Sequence, residues 1–170
     1  NEGIDFSIYL FGVFERTTVN TYKKFLHPEA IVLDIGANIG AHTLPMSHAV
    51  GPHGKVFAFE PTQYAFSKLG RNVSLNPGLA SRVHIEQMML SDQDNSLPPP
   101  ALYSSWNLAD TTGSRHPKHL RQLMDTTGAM IQKLDTYVDR LKLARIDFIK
   151  IDVDGNECTV LRGAQQTLMR

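Results

Sequence analysis

The feature that most constrains this chain is a short apolar run that ends at an acid and enters a glycine turn: Ala30-Ile31-Val32-Leu33-Asp34-Ile35-Gly36-Ala37-Asn38-Ile39-Gly40. A strand covered on both faces reads as a continuous apolar run, whereas a half-exposed strand alternates. Residues 30–35, bounded by Pro28 before and Gly36 after, therefore predict a buried parallel strand. Gly36 and Gly40 then allow a sharp strand-to-helix turn whose amides a ligand can approach closely.

The rest of the chain repeats this grammar. Residues 41–50 predict a helix that effectively begins near Leu44, because Pro45 removes a backbone donor and strains the turn before it. Gly51-Pro52-His53-Gly54 makes a turn, residues 55–60 a second strand, and residues 62–75 a helix that ends near Asn76-Pro77-Gly78. A third strand is expected over 82–89, a helix over 134–141, a fourth strand over 146–152 and a last helix over 159–169. Residues 91–128 contain Pro98-Pro99-Pro100, few aliphatics and many Ser, Thr and Asp, and read as an irregular insertion. Ahead of the core, residues 1–29 carry Phe6, Tyr9, Leu10, Val13, Phe14, Tyr22 and Phe25 at spacings that suit a short extended stretch followed by a helix, an N-terminal layer on the 30–170 core.

Strands that alternate with helices imply right-handed crossovers and a mostly parallel α/β sheet with helices on both faces. Ligands bind such sheets beyond the strand C-termini, where the strand order reverses. That rule makes neighbours of Asp34, Glu60, Met89 and Asp152.

Composition removes several alternatives. A chain of 170 residues with 42% hydrophobic content suits one packed domain. Its 17 basic and 17 acidic residues form no long block of either sign, which argues against a nucleic-acid partner. No run of apolar residues is long enough for a membrane span. Cys158 is the single cysteine, so no internal disulfide framework exists; a reducing, cytoplasmic compartment and a buried, inert thiol are expected. The chain begins without methionine and stops inside a helical pattern, so a longer gene product and further C-terminal strands are expected.

Glu60 stands at the end of the strand after the glycine turn, where a carboxylate can accept both hydroxyl hydrogens of a ribose. A dinucleotide site wants a second glycine where this chain has Asn38. An acid at Asp34 also sits badly beside a pyrophosphate, yet it suits the ammonium group of a methionine moiety. Charge complementarity therefore favours S-adenosylmethionine (SAM); the other reading of Asp34 is a cap for the turn.

A second acidic cluster, Lys150-Ile151-Asp152-Val153-Asp154-Gly155-Asn156-Glu157, ends the fourth strand. Asp152 suits the methionine end of the cofactor or the acceptor. Asp154 and Glu157 would orient the acceptor, act as a base, or cap the following helix, where negative charge is favoured. These carboxylates lack the pattern of a calcium loop, and the histidines form no zinc pair, so no metal is expected. His42 reads as a surface or capping residue, His116 and His119 as solvated. Tyr103 and Trp106 are candidates to line an acceptor site or to pack the insertion.

The run from Val32 to Thr43, then Val56-Phe57-Ala58-Phe59-Glu60-Pro61, Leu90-Ser91-Asp92, Lys133-Leu134-Asp135, and Phe148 to Glu157 with Leu161-Arg162-Gly163-Ala164, closely resembles the FkbM family of SAM-dependent methyltransferases. Gly12-Val13-Phe14-Glu15 resembles the Gly-x-x-Glu element that precedes the domain in that family, so the likeness covers nearly the whole chain outside residues 97–128. The resemblance implies a Rossmann-like class I methyltransferase fold and O-methylation of a hydroxyl on a small molecule or sugar. It also implies that Asp34, Gly36, Ala37, Asn38, Gly40 and Thr43 surround the methionine and ribose and that Glu60 holds the ribose hydroxyls. Met89 would border the adenine, and Asp152 would lie near the methyl group. Asp154 stands where the family commonly has Glu. A non-catalytic SAM-binding module on the same fold is the alternative, and a nicotinamide-dependent oxidoreductase a more distant one. Oligomeric state is open.

Overall fold

A computed structural model describes residues 2–104 and 122–170. Trp106, His116 and His119 lie outside the described residues. The N-terminal layer is two helices, α1 (Glu2–Phe11) and α2 (Arg16–Tyr22), where an extended stretch and one helix were expected. Ile4, Ile8 and Phe14 pack on Ile39 and Ala65, so it is the three-to-four-residue spacing of the apolar side chains that meets the core.

The core alternates as anticipated: β1 (Ile31–Ile35), α3 (Thr43–Ala49), β2 (Lys55–Phe59), α4 (Gln63–Ser74), the single turn α5 (Pro77–Ala80) and β3 (Val83–Glu86). The helix after β1 starts late, as Pro45 demanded. The strand expected over 82–89 divides at Gln87 into β3 and β4 (Met88–Leu90), which belong to different sheets. The cause is the end of β2. Phe59 pairs with Glu86, and beyond it β3 has no strand left to follow.

The insertion is more ordered than its composition suggested. It contains the antiparallel ribbon β5 (Ala101–Ser104) and β6 (Gln122–Asp125), followed by β7 (Met130–Gln132), which pairs in parallel with β4. Then come α6 (Leu134–Leu141), β8 (Phe148–Ile151), α7 (Glu157–Arg162) and α8 (Gln165–Leu168). The last helix, expected unbroken over 159–169, divides at Gly163, whose carbonyl accepts Asp135 N–H at 3.0 Å. Asp135 in turn accepts from Gln166 N and Thr167 N at 3.1 and 2.7 Å, so it fastens α6 to the start of α8.

The central sheet runs β3-β2-β1-β8, all strands parallel. Alternate residues of β1 serve opposite cores. Leu33 and Ile35 join Phe57, Phe59, Leu134 and Tyr137 on the α6 side, while Val32 joins Val56, Met46, Val19 and Tyr22 on the α2–α3 side. Helices therefore cover both faces. From β1 the chain proceeds outward to β2 and β3, then returns to β8 on β1's other edge, which opens a crevice beyond the C-terminal end of β1. Among the described residues, no helix is long and apolar enough to cross a membrane.

Candidate cofactor site

The glycine turn is anchored to the end of β2: Gly36 N–H and Ala37 N–H both donate to Phe59 O, at 3.0 and 2.9 Å. Gly36 has φ +78°, and a Cβ on it would lie 1.9 Å from Asp152 O, so a side chain is excluded by backbone contact and conformation together. Asn38 takes the left-handed region at φ 51°, which asparagine tolerates better than most residues. Its side-chain Oδ1 accepts from Ile39 N–H at 2.8 Å, and its own N–H donates to Glu60 Oε2 at 3.0 Å.

Glu60 is 4% exposed. Its Oε1 accepts from the N–H and the hydroxyl of Thr62, so three donors fix the carboxylate, out of about four acceptor positions. Burial pushes its pKa above the usual range, opposed by the bonds from Thr62 and Asn38 and by the charge of Lys150.

Asp34 is also buried, at 0% exposure, but it is closed off. Oδ2 accepts from Thr43 Oγ1 at 2.6 Å, and Oδ1 lies 3.1 Å from Lys150 Nζ. Asp34 and Lys150 are register partners across β1 and β8, and Lys150 also donates to Gly36 O at 3.0 Å. Lys150 is thus a site residue to which the sequence reading gave no role. A lysine inside an otherwise apolar strand was the available signal.

A cavity of about 460 Å³ opens over the turn, lined by Gly36, Ala37, Asn38, Glu60, Met89, Asp152 and Asp154 from the expected set. That volume lies in the range of small-molecule sites, roughly 300–1,000 Å³. Gly40 and Thr43 stand behind this lining with Asp34. Gly40, at φ +91°, would bring a Cβ within 2.8 Å of Leu69 Cδ1. Glu157 caps its own loop, accepting from Val153 N–H and Gly155 N–H at 3.2 Å each, and its own backbone N–H together with those of Gly155 and Val153 holds its pKa low. Thr62, Leu102, Tyr103, Glu15 and His42 complete the lining in part.

Two expectations are corrected. His42 is not on the surface: it is 5% exposed and enclosed by Phe14 and Tyr22, and although it occupies the N-cap position of α3 its side chain makes no capping bond there. Cys158 is exposed, because the first turn of α7 places it opposite the face that buries Val160. Among the described residues, no three His, Cys, Asp or Glu side chains gather as a metal site.

The sequence profile of the methyltransferase FkbM domain matches residues 34–170. Methyltransferase 1 of Beauveria bassiana is 30% identical to this chain, with 90% of the chain and 72% of the relative aligned. Hexuronic acid methyltransferase AglP of Haloferax volcanii is 26% identical (91% of this chain, 58% of the relative), and 2-O-methyltransferase NoeI of Sinorhizobium fredii is 27% identical (91% and 64%). The chain thus spans roughly three-fifths to seven-tenths of these relatives. Among solved structures, the FkbM methyltransferase of Methylobacillus flagellatus shares the fold, with TM-score 0.52 at 17% identity over 88% of this chain and 36% of that one. The chain belongs to the methyltransferase FkbM domain family.

Proposed function

We propose that the protein containing this chain transfers the methyl group of SAM to a hydroxyl oxygen of a carbohydrate or a similar small acceptor. The observation that carries the reading is Glu60, a buried carboxylate fixed by amide and hydroxyl donors beside the glycine turn and open to the cavity. A carboxylate so held has acceptor capacity left for a ribose hydroxyl. Gly36, Ala37 and Asn38 would form the floor beneath the methionine and ribose, with Met89 beside the adenine. Asp34, Gly40 and Thr43 would hold that floor from behind. Asp152 and Asp154 stand at the rim, where they would meet the methyl end and the acceptor, and Glu157 would fix the loop that carries them.

Bound SAM supplies an electrophilic methyl group on a sulfonium. The chain's contribution is chiefly alignment, with a base to relieve the acceptor of its proton. The carbohydrate class is supported by the hexuronic acid in the name of AglP and by Tyr103, an aromatic ring on the cavity wall that can stack on a sugar face, and a hydroxyl oxygen as acceptor by the 2-O-methyltransferase name of NoeI. Balanced charge disfavours nucleic acid as the acceptor, and an exposed, unpaired Cys158 agrees with a cytoplasmic setting.

The test is label transfer from methyl-labelled SAM to a panel of methyl glycosides, including uronosides, by the full-length protein. Labelled methyl ether is the expected product. SAM binding without label on any glycoside would favour the binding-module alternative instead.

A further inference from the structure

Away from the cofactor turn, the corner where the α1–α2 connection meets the start of α3 carries three features that SAM binding leaves unused. His42 is 5% exposed, its ring centroid 5.8 Å from Phe14 and 5.9 Å from Tyr22, and neither ring nitrogen has a hydrogen-bond partner among the described residues. A buried polar group left unpaired is costly and needs a reason. Glu15 lies beside it, Oε2 at 3.4 Å from His42 Nε2. Glu15 also takes the left-handed conformation, φ 46° and ψ 60°, and its side chain forms no cap on α2. Such backbone strain in a non-glycine residue persists where the surroundings impose it, often at working sites. Both residues line the cavity.

We propose that Glu15, braced by His42, accepts the proton of the reacting hydroxyl, so that the acceptor enters against the connection between α1 and α2. The inference rests on the methyl-transfer reading above. In the step, the hydroxyl oxygen forms a bond to the methyl carbon as that carbon's bond to sulfur breaks, the electron pair remaining on sulfur. The hydroxyl proton passes to the Glu15 carboxylate, and the resulting neutral acid returns it to water. His42 is a positioning residue: its Nε2–H closes on Glu15 when the acceptor excludes water, as apo contacts of this kind commonly tighten on binding.

The surroundings keep the imidazole neutral for that role. The charged groups that face it are Glu15 from the connection, Asp34 from β1 and Lys150 from β8, and the neighbouring titratable ring is Tyr22 from α2. Burial lowers the His42 pKa and Lys150 lowers it further, with Asp34 and Glu15 opposing. Burial raises that of Tyr22, which stays protonated. Asp152 suits the role less well, since its Oδ2 lies 3.9 Å from Lys150 Nζ and shares that cation with Asp34.

The test compares wild type, Glu15→Gln, Glu15→Asp and His42→Asn, with SAM titration, imidazole nitrogen NMR and turnover of the glycoside that wild type methylates best. Glu15→Gln should bind SAM within about twofold of wild type, shift the His42 nitrogen resonances, and lose about 10²–10⁴-fold in kcat. Glu15→Asp should recover part of that rate. His42→Asn should lower kcat less, with KM unchanged, and alter the acidic limb of the pH–rate profile. A tenfold loss of SAM affinity in Glu15→Gln would make Glu15 a cofactor ligand and overturn the proposal, as would full activity of that variant or a His42 spectrum indifferent to it. If wild type methylates no glycoside, the functional reading fails first and the proton acceptor falls with it; an active wild type with an equally active Glu15→Gln removes the proton acceptor alone.

Discussion

Asp34 and Glu60 stand at the C-terminal ends of adjacent strands, both buried, yet they are held in opposite ways. Asp34 meets a cation, Lys150, and a hydroxyl, Thr43, and takes no part in the cavity wall. Glu60 is held by two backbone N–H groups and one hydroxyl and borders the cavity. A buried acid near a ligand site is therefore not a ligand by virtue of burial or charge. One paired with an internal cation contributes structure, because its charge is answered within the sheet. One fixed by neutral donors keeps an open acceptor position on the cavity side.

The largest effect that would break this contrast is on the paired acid. Asp34→Asn leaves Lys150, whose side chain is 13% exposed, with only the more distant and exposed Asp152 carboxylate at 3.9 Å, and should cost about 3–5 kcal/mol in urea denaturation. Lys150→Met should cost a comparable amount, and the double variant should cost clearly less than the sum, since residues in one ion pair couple. Strict additivity would mean that the pair is not what holds β1 to β8 at this point.

Glu60→Gln should be milder, about 1–2 kcal/mol at pH 7, because the amide loses one of the three donors that the carboxylate accepts. Its pH dependence sharpens the comparison. The folded pKa of Glu60 is raised, so the folded state holds that proton more tightly than the unfolded chain does. This contribution to stability is full below the ordinary carboxylate value, about 4.3, and is lost as pH rises through the raised one. Unfolding free energies measured across that window should show the decline in wild type and not in Glu60→Gln.

His42 has the opposite sign and the smallest effect. Its folded pKa is lowered from 6.5, so its contribution is present above that value and is lost as pH falls through the lowered one. His42→Phe, which fills similar space without unpaired nitrogens, should remove that acidic loss and alter stability at pH 8 by about 1 kcal/mol or less.

Much of this was legible in the sequence, for physical reasons that differ by residue. The strand ending in Asp34 and the glycines after it are dictated locally, by an apolar run and by conformations that few residues adopt, and they appear where expected. The partners of Asp34 and His42 were not legible. Lys150 reaches Asp34 only through the β1–β8 register, and His42 is buried only because α2 lays Tyr22 against it. The break at Gln87 depends on where β2 stops, and the division of the last helix on a carbonyl taken by Asp135. The β5–β6 ribbon was hidden by polar residues such as Ser104 and Gln122, which face each other across the pair and are both buried. Local composition reports a residue's own preference; each of these outcomes was decided by a partner distant in sequence.

The contrast between the two acids is tested most directly by titrating SAM into wild type and Glu60→Gln by calorimetry. Wild type should bind at one site per chain, and Glu60→Gln should bind about tenfold to a hundredfold more weakly, a loss of about 1.4–2.8 kcal/mol. Equal affinity in the two proteins, or no binding by wild type, would contradict the assignment of this cavity to SAM with Glu60 as its ribose contact.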